Sequence, residues 1–376
     1  MEKVPKRVAI FCDFFNSLGG TEYYNFMLAQ SIKKSGIDVK VFIGERPKLH
    51  YWLDLLEDNK IDYYHPEDFH SDLEDKTIEI QFIKEVKEII KEWRPDIIHA
   101  HPAGKMIVSW FEAASDLEKE VPVIATEWTT PSKNTAHWYP KELKSHINKL
   151  NCIIATCNKS KEGIIDFFKY TGNVRVIPHL IKSPLRINSN NTNSNRFSVG
   201  CISRLSPEKG LDFLLGSWKK ICADFPTATL HIYGHGNDEN HLENLIKALG
   251  IEKSVFLEGV FEPIEGINQI AGKHDIFVQP SLFESIPTSI IELIARKKVI
   301  VATNVGGISE LINSKYESGI LINSASTDEI YEAISRLFLS PDYLKKISEN
   351  AEGIFKERYS LEKNISEILN VYKEVM

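Results

Sequence analysis

One stretch in the second half of the chain decides the fold class: Ser281-Leu-Phe-Glu284-Ser-Ile-Pro287-Thr-Ser-Ile-Ile-Glu292-Leu-Ile-Ala-Arg296, followed by Val299-Ile-Val-Ala-Thr303. The first part predicts a helix that begins at Pro287, because proline lacks the N–H that the first helical position leaves unpaired. The second part is a continuous apolar run, which is typical of a strand covered on both faces of a parallel sheet. A helix that leads into such a strand is the repeating unit of α/β folds.

The same stretch predicts a binding site. Glu284 lies in the loop before the helix, and Glu292 lies five residues after Pro287, roughly 8 Å along the axis at about 1.5 Å per residue. The N–H groups of the first helical turn are unpaired and carry the positive end of the helix dipole. An anion flanked by hydroxyl groups, as in a sugar nucleotide, would fit between these carboxylates.

Length and composition exclude several classes of protein. With 376 residues, 43% of them hydrophobic, the chain has enough material for two domains. A net charge of −7 argues against nucleic acid as a partner. No apolar run reaches the roughly 20 residues that span a bilayer, and the first residues lead directly into a predicted strand. The five cysteines are scattered, which argues against a zinc site and favours a reducing compartment, so we expect a soluble, unprocessed, cytoplasmic protein.

Short apolar runs alternate with amphipathic stretches in both halves of the chain, as in repeated βα units. We therefore predict an α/β protein with two Rossmann-like domains, at residues 1–183 and 196–358, whose parallel sheets face each other across a cleft. The polar residues 184–195 predict a linker. A helix within 359–376 is expected to pack back towards the first domain. The ligand site is expected in the cleft, outside the carboxyl ends of the strands.

Basic residues follow the first predicted strand of the second domain. Arg204 and Lys209 lie five residues apart there, so that a guanidinium and an ammonium group can converge on one diphosphate. The chain contains no Asp-x-Asp sequence, the usual short signal for a metal that holds a diphosphate. We therefore expect no metal and no cofactor, with the two basic side chains and the helix start neutralising the phosphates.

Glycines and histidines follow other predicted strands. Gly19 and Gly20 open a helix after the first strand, where paired glycines let the backbone approach a ligand. Neither this pair nor Gly234-His-Gly236 forms the dinucleotide fingerprint, which disfavours a nicotinamide enzyme. His101 comes just after a strand predicted at 97–99 and could donate to a substrate or exchange protons with it, whereas His99 is expected to be buried. Strand alternation points both histidines the same way.

Taken together, these motifs resemble the retaining glycosyltransferases of the GT-B type, in the large family 4 (glycosyl transferases group 1). The resemblance covers nearly the whole chain. It rests on Gly19-Gly20-Thr-Glu22, Pro95-Asp-Ile-Ile-His-Ala-His101, Arg204 with Lys209-Gly210, Gly234-His-Gly236, and the Glu284 to Glu292 element that runs on into Val305-Gly306-Gly307-Ile-Ser-Glu310.

The resemblance implies transfer of a hexose-type sugar, with a UDP-sugar as the favoured donor and with retention of anomeric configuration, for which a front-face mechanism is usually proposed. It also implies residue roles: Glu284 contacts the donor sugar, Glu292 the ribose, Arg204 and Lys209 the diphosphate, and His101 the region of the reacting sugar; Gly20, Gly234, Val260 and the N–H groups of Ile286 and Thr288 complete the donor site. The expected catalytic residues are Glu284, Arg204, Lys209 and His101.

Three positions depart from the family pattern. Glu127-Trp128 follows the strand predicted at 123–126, where a histidine is frequent. His179-Leu180 replaces a usual Asn-Gly pair, and Pro287 replaces a common glycine. The first of these departures predicts a different acceptor contact, and the second predicts a different local turn.

The acceptor is expected against the first domain and could be a glycan, a lipid-linked sugar or a small molecule. Residues 133–150 are rich in Lys, His and aromatic side chains, with a helix predicted at 140–150. This segment fits either peripheral contact with the inner membrane surface or an ordinary solvated helix. Two alternative functions also remain: a non-hydrolysing sugar-nucleotide epimerase on the same fold, and a non-catalytic sugar-nucleotide-binding protein.

Overall fold

The chain forms two compact units, which are described separately below. The computed structural model describes residues 4–13, 15–67, 76–101, 107–114, 121–182, 197–312 and 317–376. Unit 1 comprises Met1–Leu180 together with Leu361–Met376, and unit 2 comprises Ile181–Ser360. The predicted polar linker at 184–195 lies outside the described residues.

Unit 1 contains a seven-stranded parallel sheet with the strand order β3-β2-β1-β4-β5-β6-β7. Its elements are β1 (Arg7–Cys12), α1 (Gly20–Lys34), β2 (Asp38–Ile43), α2 (Tyr51–Asp58), β3 (Asp62–Tyr64), α3 (Lys76–Trp93), β4 (Ile97–His101), α4 (Ile107–Ala114), β5 (Val123–Glu127), α5 (Leu143–Ile147), β6 (Cys152–Ala155), α6 (Asn158–Phe168) and β7 (Asn173–Val176). The strand order reverses between β1 and β4, and ligands of open α/β sheets bind at the carboxyl ends of the strands at such a switch point.

Unit 2 contains a six-stranded parallel sheet with the order β10-β9-β8-β11-β12-β13. Its elements are β8 (Ser198–Ile202), α7 (Leu211–Asp224), β9 (Thr229–Tyr233), α8 (Glu239–Leu249), β10 (Val255–Gly259), α9 (Gly266–Lys273), β11 (Ile276–Gln279), α10 (Thr288–Ile294), β12 (Val299–Thr303), α11 (Ile308–Leu311), β13 (Gly319–Ile322), α12 (Thr327–Leu339) and α13 (Pro341–Arg358). Its switch point lies between β8 and β11.

The last helix, α14 (Leu361–Val375), belongs to unit 1. Tyr372 is fully buried, and its hydroxyl lies 2.9 Å from Nδ1 of His99 in β4. Arg175 of β7 pairs with Glu374 at 3.1 Å. Asn364 donates to the carbonyl of His179 at 3.1 Å. These contacts tie the end of the chain to the sheet that the beginning of the chain builds.

Each sheet has its own apolar core. In unit 1 the ring of Trp110 lies 4.7 Å from Phe11 and 5.2 Å from Phe82, measured between centroids. In unit 2, Trp218 and Leu214 are fully buried among strands β8, β9 and β11. In each sheet the central strands are covered on both faces, which explains their continuous apolar sequences. The predicted pair of Rossmann-like domains with parallel sheets is confirmed.

Some predicted elements are wrong in extent. β4 continues to His101 instead of ending at residue 99. The short edge strand β3, Asp-Tyr-Tyr, was not predicted, because an edge strand that keeps solvent contact lacks the apolar run of a central strand. The sequence also predicts a helix at 105–114. It is described from Ile107, because residues 102–106 lie outside the described part.

The basic helix predicted at 140–150 is also wrong, since only Leu143–Ile147 is helical there. Its neighbour Tyr139 packs against the core of unit 1 and donates to Glu127 at 3.1 Å. The segment therefore presents no long basic helix face, and the predicted membrane contact stays a prediction. In the described ranges, no helix combines the length and the apolar character that crossing a bilayer requires.

Candidate functional site

Lys209 and Glu284 form an ion pair at the switch point of unit 2. Lys209 ends a 3-10 turn after β8, and Glu284 lies in the loop between β11 and α10. Lysine Nζ lies 2.7 Å from Glu284 Oε1, and the two side chains keep only 13% and 10% of their exposure. Because charges are costly to bury unpaired, each of these groups requires the other in the unliganded protein.

Three donors fix the carboxylate of Glu284 by a single oxygen. Oε1 accepts from Lys209, from the hydroxyl of Ser281 at 2.8 Å, and from the amide of Gln279 at 3.2 Å. Ser281 is itself held, because its carbonyl accepts from the hydroxyl of Thr303 at 2.6 Å. None of the residues that the structure describes donates to Oε2 of Glu284. The carboxylate is therefore oriented, with one oxygen still able to accept from a hydroxyl group.

Two glycines hold the loops of this pair in contact. Gly210 has φ +63°, and a Cβ there would lie 2.3 Å from the carbonyl oxygen of Pro280. Gly306 has φ +56°, and a Cβ there would lie 2.1 Å from the carbonyl oxygen of Glu284. Glycine is required at both positions for two reasons: the backbone is left-handed, and a neighbouring carbonyl oxygen lies too close for a Cβ. The Gly306-Gly307 sequence thus supports the Glu284 loop from behind.

Arg204 is not part of this ion pair. Its side chain is 75% exposed and pairs with Glu208 at 3.1 Å. Glu208 in turn joins the two loops, because its carbonyl accepts from the N–H of Leu282 at 2.8 Å. The structure therefore brings Lys209 to Glu284 and leaves Arg204 on the surface of the same loop.

Gly234 and Val260 follow the neighbouring strands β9 and β10. Gly234 has φ +135°, and a Cβ there would lie 2.0 Å from the carbonyl oxygen of Ser203, next to Arg204. Glycine is therefore needed at this position for packing within the protein. Val260 is 64% exposed and could contact a ligand.

The helix that the two glutamates flank begins one residue later than predicted. Pro287 is the N-cap of α10, with ψ 123°, and Thr288 is the first helical residue. A proline φ of −67° suits either position, so sequence did not separate them. The side chain of Ile286 is buried, and that of Thr288 is half-buried. With seven residues, α10 is also short.

Glu292 lies within α10, whereas Glu284 lies in the loop before that helix. The loss of hydration on burial raises the pKa of Glu292 to about 7, against the opposing effect of the Arg296 charge. The guanidinium of Arg296 itself donates to the carbonyl of Glu292 at 2.8 Å and to Asn268 at 2.8 Å. New hydrogen-bond donors would therefore stabilise the ionised form of the Glu292 carboxyl group.

The switch point of unit 1 begins with the glycine loop. Gly19 is the N-cap of α1, and Gly20 is its first residue. Glu22 fixes the loop, because Oε1 accepts from the N–H of Ser17 at 3.1 Å and from its hydroxyl at 2.6 Å. Trp52 donates to the carbonyl of Ser17 at 2.7 Å. The loop before α1 is therefore held by buried side chains.

His99 and His101 lie on β4 with different surroundings. The prediction for His99 is confirmed: it is fully buried, its Nε2 lies 2.8 Å from the hydroxyl of Thr126, and burial lowers its pKa to about 3. His101 was predicted beyond the strand, but it is the last residue of β4 and is fully buried. Neither ring nitrogen of His101 has a hydrogen-bond partner among the described residues. Its predicted contact with substrate stays a prediction.

Sequence reasoning missed two of the residues that orient Glu284. Gln279 ends the apolar strand Ile-Phe-Val-Gln, and Ser281 follows two residues later. A polar residue at the carboxyl end of a buried strand is a usable signal, because that end lies at the ligand edge of the sheet. Their partner could not be identified without the loop conformation.

Known proteins match both halves of the chain. Residues 18–182 match the family model "Glycosyltransferase Family 4", and residues 183–353 match "Glycosyl transferases group 1". An uncharacterised glycosyltransferase of Haemophilus influenzae is 26% identical over 96% of this chain and 98% of its own length. The phosphatidylinositol N-acetylglucosaminyltransferase GPI3 subunit of Saccharomyces cerevisiae is 24% identical over 88% of this chain and 74% of its own length.

Solved structures show the same fold. HepE of Anabaena in complex with UDP-glucose has a TM-score of 0.80 at 21% identity, covering 98% of this chain and 99% of that protein. This likeness concerns the fold, while the two family models concern the sequence. Since those models together extend from residue 18 to residue 353, the protein belongs to the GT-B glycosyltransferases of group 1.

Proposed function

We propose that this glycosyltransferase moves a hexose-type sugar from a UDP-sugar to an acceptor hydroxyl, with retention of anomeric configuration and without a metal. The observation that carries the proposal is the buried pair of Lys209 and Glu284 at the switch point of unit 2. The pair offers a cation beside an oriented carboxylate, and these are the groups that a sugar diphosphate needs. The binding of UDP-glucose by HepE, which shares the fold, supports a uridine nucleotide as the donor.

Each donor-site residue has a role that fits its surroundings. Oε2 of Glu284 accepts from a hydroxyl of the donor sugar, since Oε1 is already occupied. Glu292 accepts from the ribose hydroxyls, which replace the hydration lost on burial. The exposed Arg204 turns from Glu208 to the diphosphate, and Val260 contacts the base. The N–H groups of Ile286 and Thr288 donate to phosphate, and Gly20 lets the loop before α1 approach a substrate.

The reaction needs stabilisation of the departing nucleotide above all. The bond between the anomeric carbon and the diphosphate oxygen breaks, and the acceptor oxygen bonds to the same face of that carbon. The acceptor proton passes to the departing phosphate oxygen, so charge and atoms balance. Lys209 and Arg204 stabilise the negative charge that develops on the diphosphate, and removing one preorganised donor of this kind typically costs about 10²–10³ in turnover.

His101 of unit 1 is the fourth residue to which we assign a catalytic role. Burial and the nearby His99 ring hold its pKa well below the usual range, so it donates a hydrogen bond without carrying charge. We assign it to a hydroxyl close to the reacting carbon. The acceptor classes open to the enzyme are a glycan, a lipid-linked acceptor and a small molecule, and the phosphatidylinositol in the name of the yeast relative is an example of a lipid.

A thermal-shift panel of UDP-, GDP- and ADP-sugars tests the donor. A ligand that binds only the folded protein raises Tm, by an amount that corresponds to about 2.7 kcal/mol at a hundredfold excess over Kd. We expect UDP-sugars to give the largest shift, with or without EDTA. A shift that appears only with added divalent cation would contradict metal independence. NMR of the product anomer, together with the requirement for an added acceptor, then separates a retaining transferase from an epimerase.

A further inference from the structure

Four ring side chains meet in unit 1 and form what we name the aromatic cluster: Tyr24, His101, Trp128 and His179. Tyr24 lies in α1, His101 ends β4, Trp128 follows β5, and His179 follows β7. The Trp128 ring lies 4.6 Å from Tyr24, 5.6 Å from His101 and 5.5 Å from His179. Since β1 and β4 bound the switch point of this sheet, the cluster lies where an open α/β sheet binds its ligand.

Hydrogen-bonding groups in the cluster are buried without partners. Within the described ranges, Nε1 of Trp128 and both ring nitrogens of His101 make no hydrogen bond. His101 is fully buried, whereas Trp128 keeps partial exposure. More than about nine in ten buried polar groups in proteins are paired, and an unpaired one costs about 1–3 kcal/mol. Three such atoms in adjoining rings leave hydrogen-bonding capacity that a ligand at this edge of the sheet would satisfy.

The chemistry of the cluster selects an uncharged ligand with several hydroxyl groups. Burial holds the pKa of His101 below its usual range and that of Tyr24 above its own, so both side chains are neutral near pH 7. A neutral imidazole offers one donor and one acceptor, and an indole offers one donor. Aromatic faces add apolar contact for the C–H face of a sugar ring. An anion would find no compensating charge on these rings.

The neighbouring carboxylate of Glu127 is turned away from the cluster and is occupied by other donors. Glu127 accepts from the N–H of Thr129 at 2.9 Å, from its hydroxyl at 2.8 Å, and from the hydroxyl of Tyr139 at 3.1 Å. Successive side chains at the end of a strand point to opposite faces, which places Trp128 on the other side from this network. The network therefore fixes the backbone on which Trp128 stands.

Trp128 and His179 follow different strands and meet inside the cluster. In the structure their rings lie 5.5 Å apart with an interplanar angle of 31°. Residues that are 51 positions apart in sequence thus form one surface. The ring of His179 therefore limits the orientations that the ring of Trp128 can take.

We propose that the aromatic cluster binds the acceptor as an uncharged pyranose ring, with Trp128 as its stacking surface and His179 as the residue that orients Trp128. This inference rests on the proposed transferase function and adds the chemical class of the acceptor and the residues that select it. Trp128 acts on the acceptor by direct contact. His179 is a positioning residue, because it acts through the ring of Trp128.

Saturation-transfer difference NMR with methyl glycosides tests binding before the natural acceptor is identified. Samples contain the full protein, UDP and one glycoside from a panel of neutral pyranosides, with glucose 6-phosphate as the anionic probe. We expect transfer to the ring C–H protons of at least one neutral glycoside and weaker transfer to the phosphate ester. Trp128→Ala should reduce the signal at least fivefold, Trp128→Phe should keep part of it, and Trp138→Ala should leave it unchanged. Trp138 is the matched control, because it is an aromatic residue of the same unit with 43% exposure.

Steady-state kinetics on an active acceptor gives the second readout. Trp128→Ala should raise the acceptor KM about tenfold while the donor KM and the UDP-induced rise in Tm stay as in the wild type. His179→Asn should raise the acceptor KM less and change the order of preference among glycosides. A merely structural role of Trp128 would instead lower kcat and Tm together.

The outcomes separate this inference from the function on which it rests. A wild-type protein that binds no nucleotide sugar would overturn the transferase assignment. A protein that binds UDP normally but gives no ring-proton signal with any glycoside would overturn only the cluster. Equal signals and equal acceptor KM values in the wild type and in Trp128→Ala would also overturn the role of the cluster. A stronger signal from glucose 6-phosphate than from the neutral glycosides would overturn it as well.

Discussion

The ammonium group of Lys209 lies 2.7 Å from the carboxylate of Glu284, although 75 residues separate them in the chain. The two residues stand on the loops after β8 and β11, the strands at which the order of the sheet reverses. Removing one partner of a buried pair leaves the other charge uncompensated and typically costs about 3–5 kcal/mol. Variants that test function here must therefore keep size and hydrogen bonding as far as the chemistry allows.

Glu284→Gln keeps the shape of the side chain and removes its charge. We expect turnover to fall by about 10²–10³, because the variant weakens an oriented acceptor for the donor sugar and leaves Lys209 without its counter-charge. The turnover of Lys209→Ala should fall by at least the same factor. The measurement is kcat with saturating UDP-sugar, beside circular dichroism to confirm folding. Asp328→Asn is the control, since Asp328 pairs with Lys220 on the surface of the same unit with 71% exposure. Equal activity of Glu284→Gln and Asp328→Asn would refute the role of Glu284.

Ser281→Ala removes one of the three donors to Glu284 Oε1. A hydrogen bond to a charged group contributes about 1.5–3 kcal/mol, so the orientation of the carboxylate should loosen and kcat should drop roughly tenfold. The donor KM should change less than kcat, because the residue acts on Glu284 and not on the nucleotide. Ser348→Ala, which removes an exposed hydroxyl that donates to the Lys297 carbonyl at 2.7 Å, should be silent. A rise in donor KM with unchanged kcat would contradict a positioning role.

Gly306→Ala tests the support behind the Glu284 loop, and Gly250→Ala is its matched control. Both glycines have a left-handed backbone, at φ +56° and +71°, but only Gly306 has a close neighbour, 2.1 Å from the site of an added Cβ. Gly250→Ala should cost only the backbone strain of about 1–2 kcal/mol and keep full activity. Gly306→Ala should cost more and lower kcat, because the carbonyl of Glu284 must move. Thermal unfolding and kcat of the two variants decide the matter, and identical losses would mean that backbone strain alone is responsible.

Glu292→Gln should stabilise the protein in alkaline solution. The pKa of Glu292 is raised from 4.5 to about 7 by burial, so the stability it contributes is complete below pH 4.5 and is lost as pH rises through 7. Above pH 7 the folded protein holds an ionised carboxylate with too little hydration, and glutamine has no such cost. We expect Tm of the variant at pH 8 to exceed that of the wild type by about 2–4 °C for each kcal/mol recovered. At pH 4 the difference should vanish, and a constant difference across this range would contradict the assignment.

The same carboxyl group links donor binding to pH. Ribose hydroxyls that donate to ionised Glu292 lower its pKa in the complex, so binding releases a proton. The Kd for UDP-glucose should therefore fall as pH rises through 7 in the wild type. In Glu292→Gln binding should be weaker, so that the Kd is higher, and the Kd should be nearly independent of pH over the same interval. Isothermal titration calorimetry in two buffers of different ionisation enthalpy measures the proton release, and its absence in the wild type would argue against ribose contact.

Much of the fold could be predicted, because it depends on local patterns. The apolar run Val299–Thr303 and the amphipathic stretches around it show their periods directly. The apolar runs at 7–12, 276–279 and 299–303 predict strands, and β1, β11 and β12 have these bounds. Prediction failed where the pattern was weak or local rules competed. The half-exposed β3 lacks an apolar run, and His101 extends a strand whose expected end was two residues earlier.

The candidate site, like the fold, could be predicted from the sequence only in part. Sequence by itself determined the class of fold and the family. It also placed Glu284, Arg204 and Lys209 after strands and Glu292 in the helix that follows, because side-chain periodicity and strand ends follow from local chemistry. Only the tertiary structure decided that Lys209 pairs with Glu284 while Arg204 pairs with Glu208, and that Trp128 meets His179. Such partners lie tens of residues apart, so their contacts depend on strand order, on loop conformation and on glycines that let two backbones touch. A linear pattern contains none of that distance information.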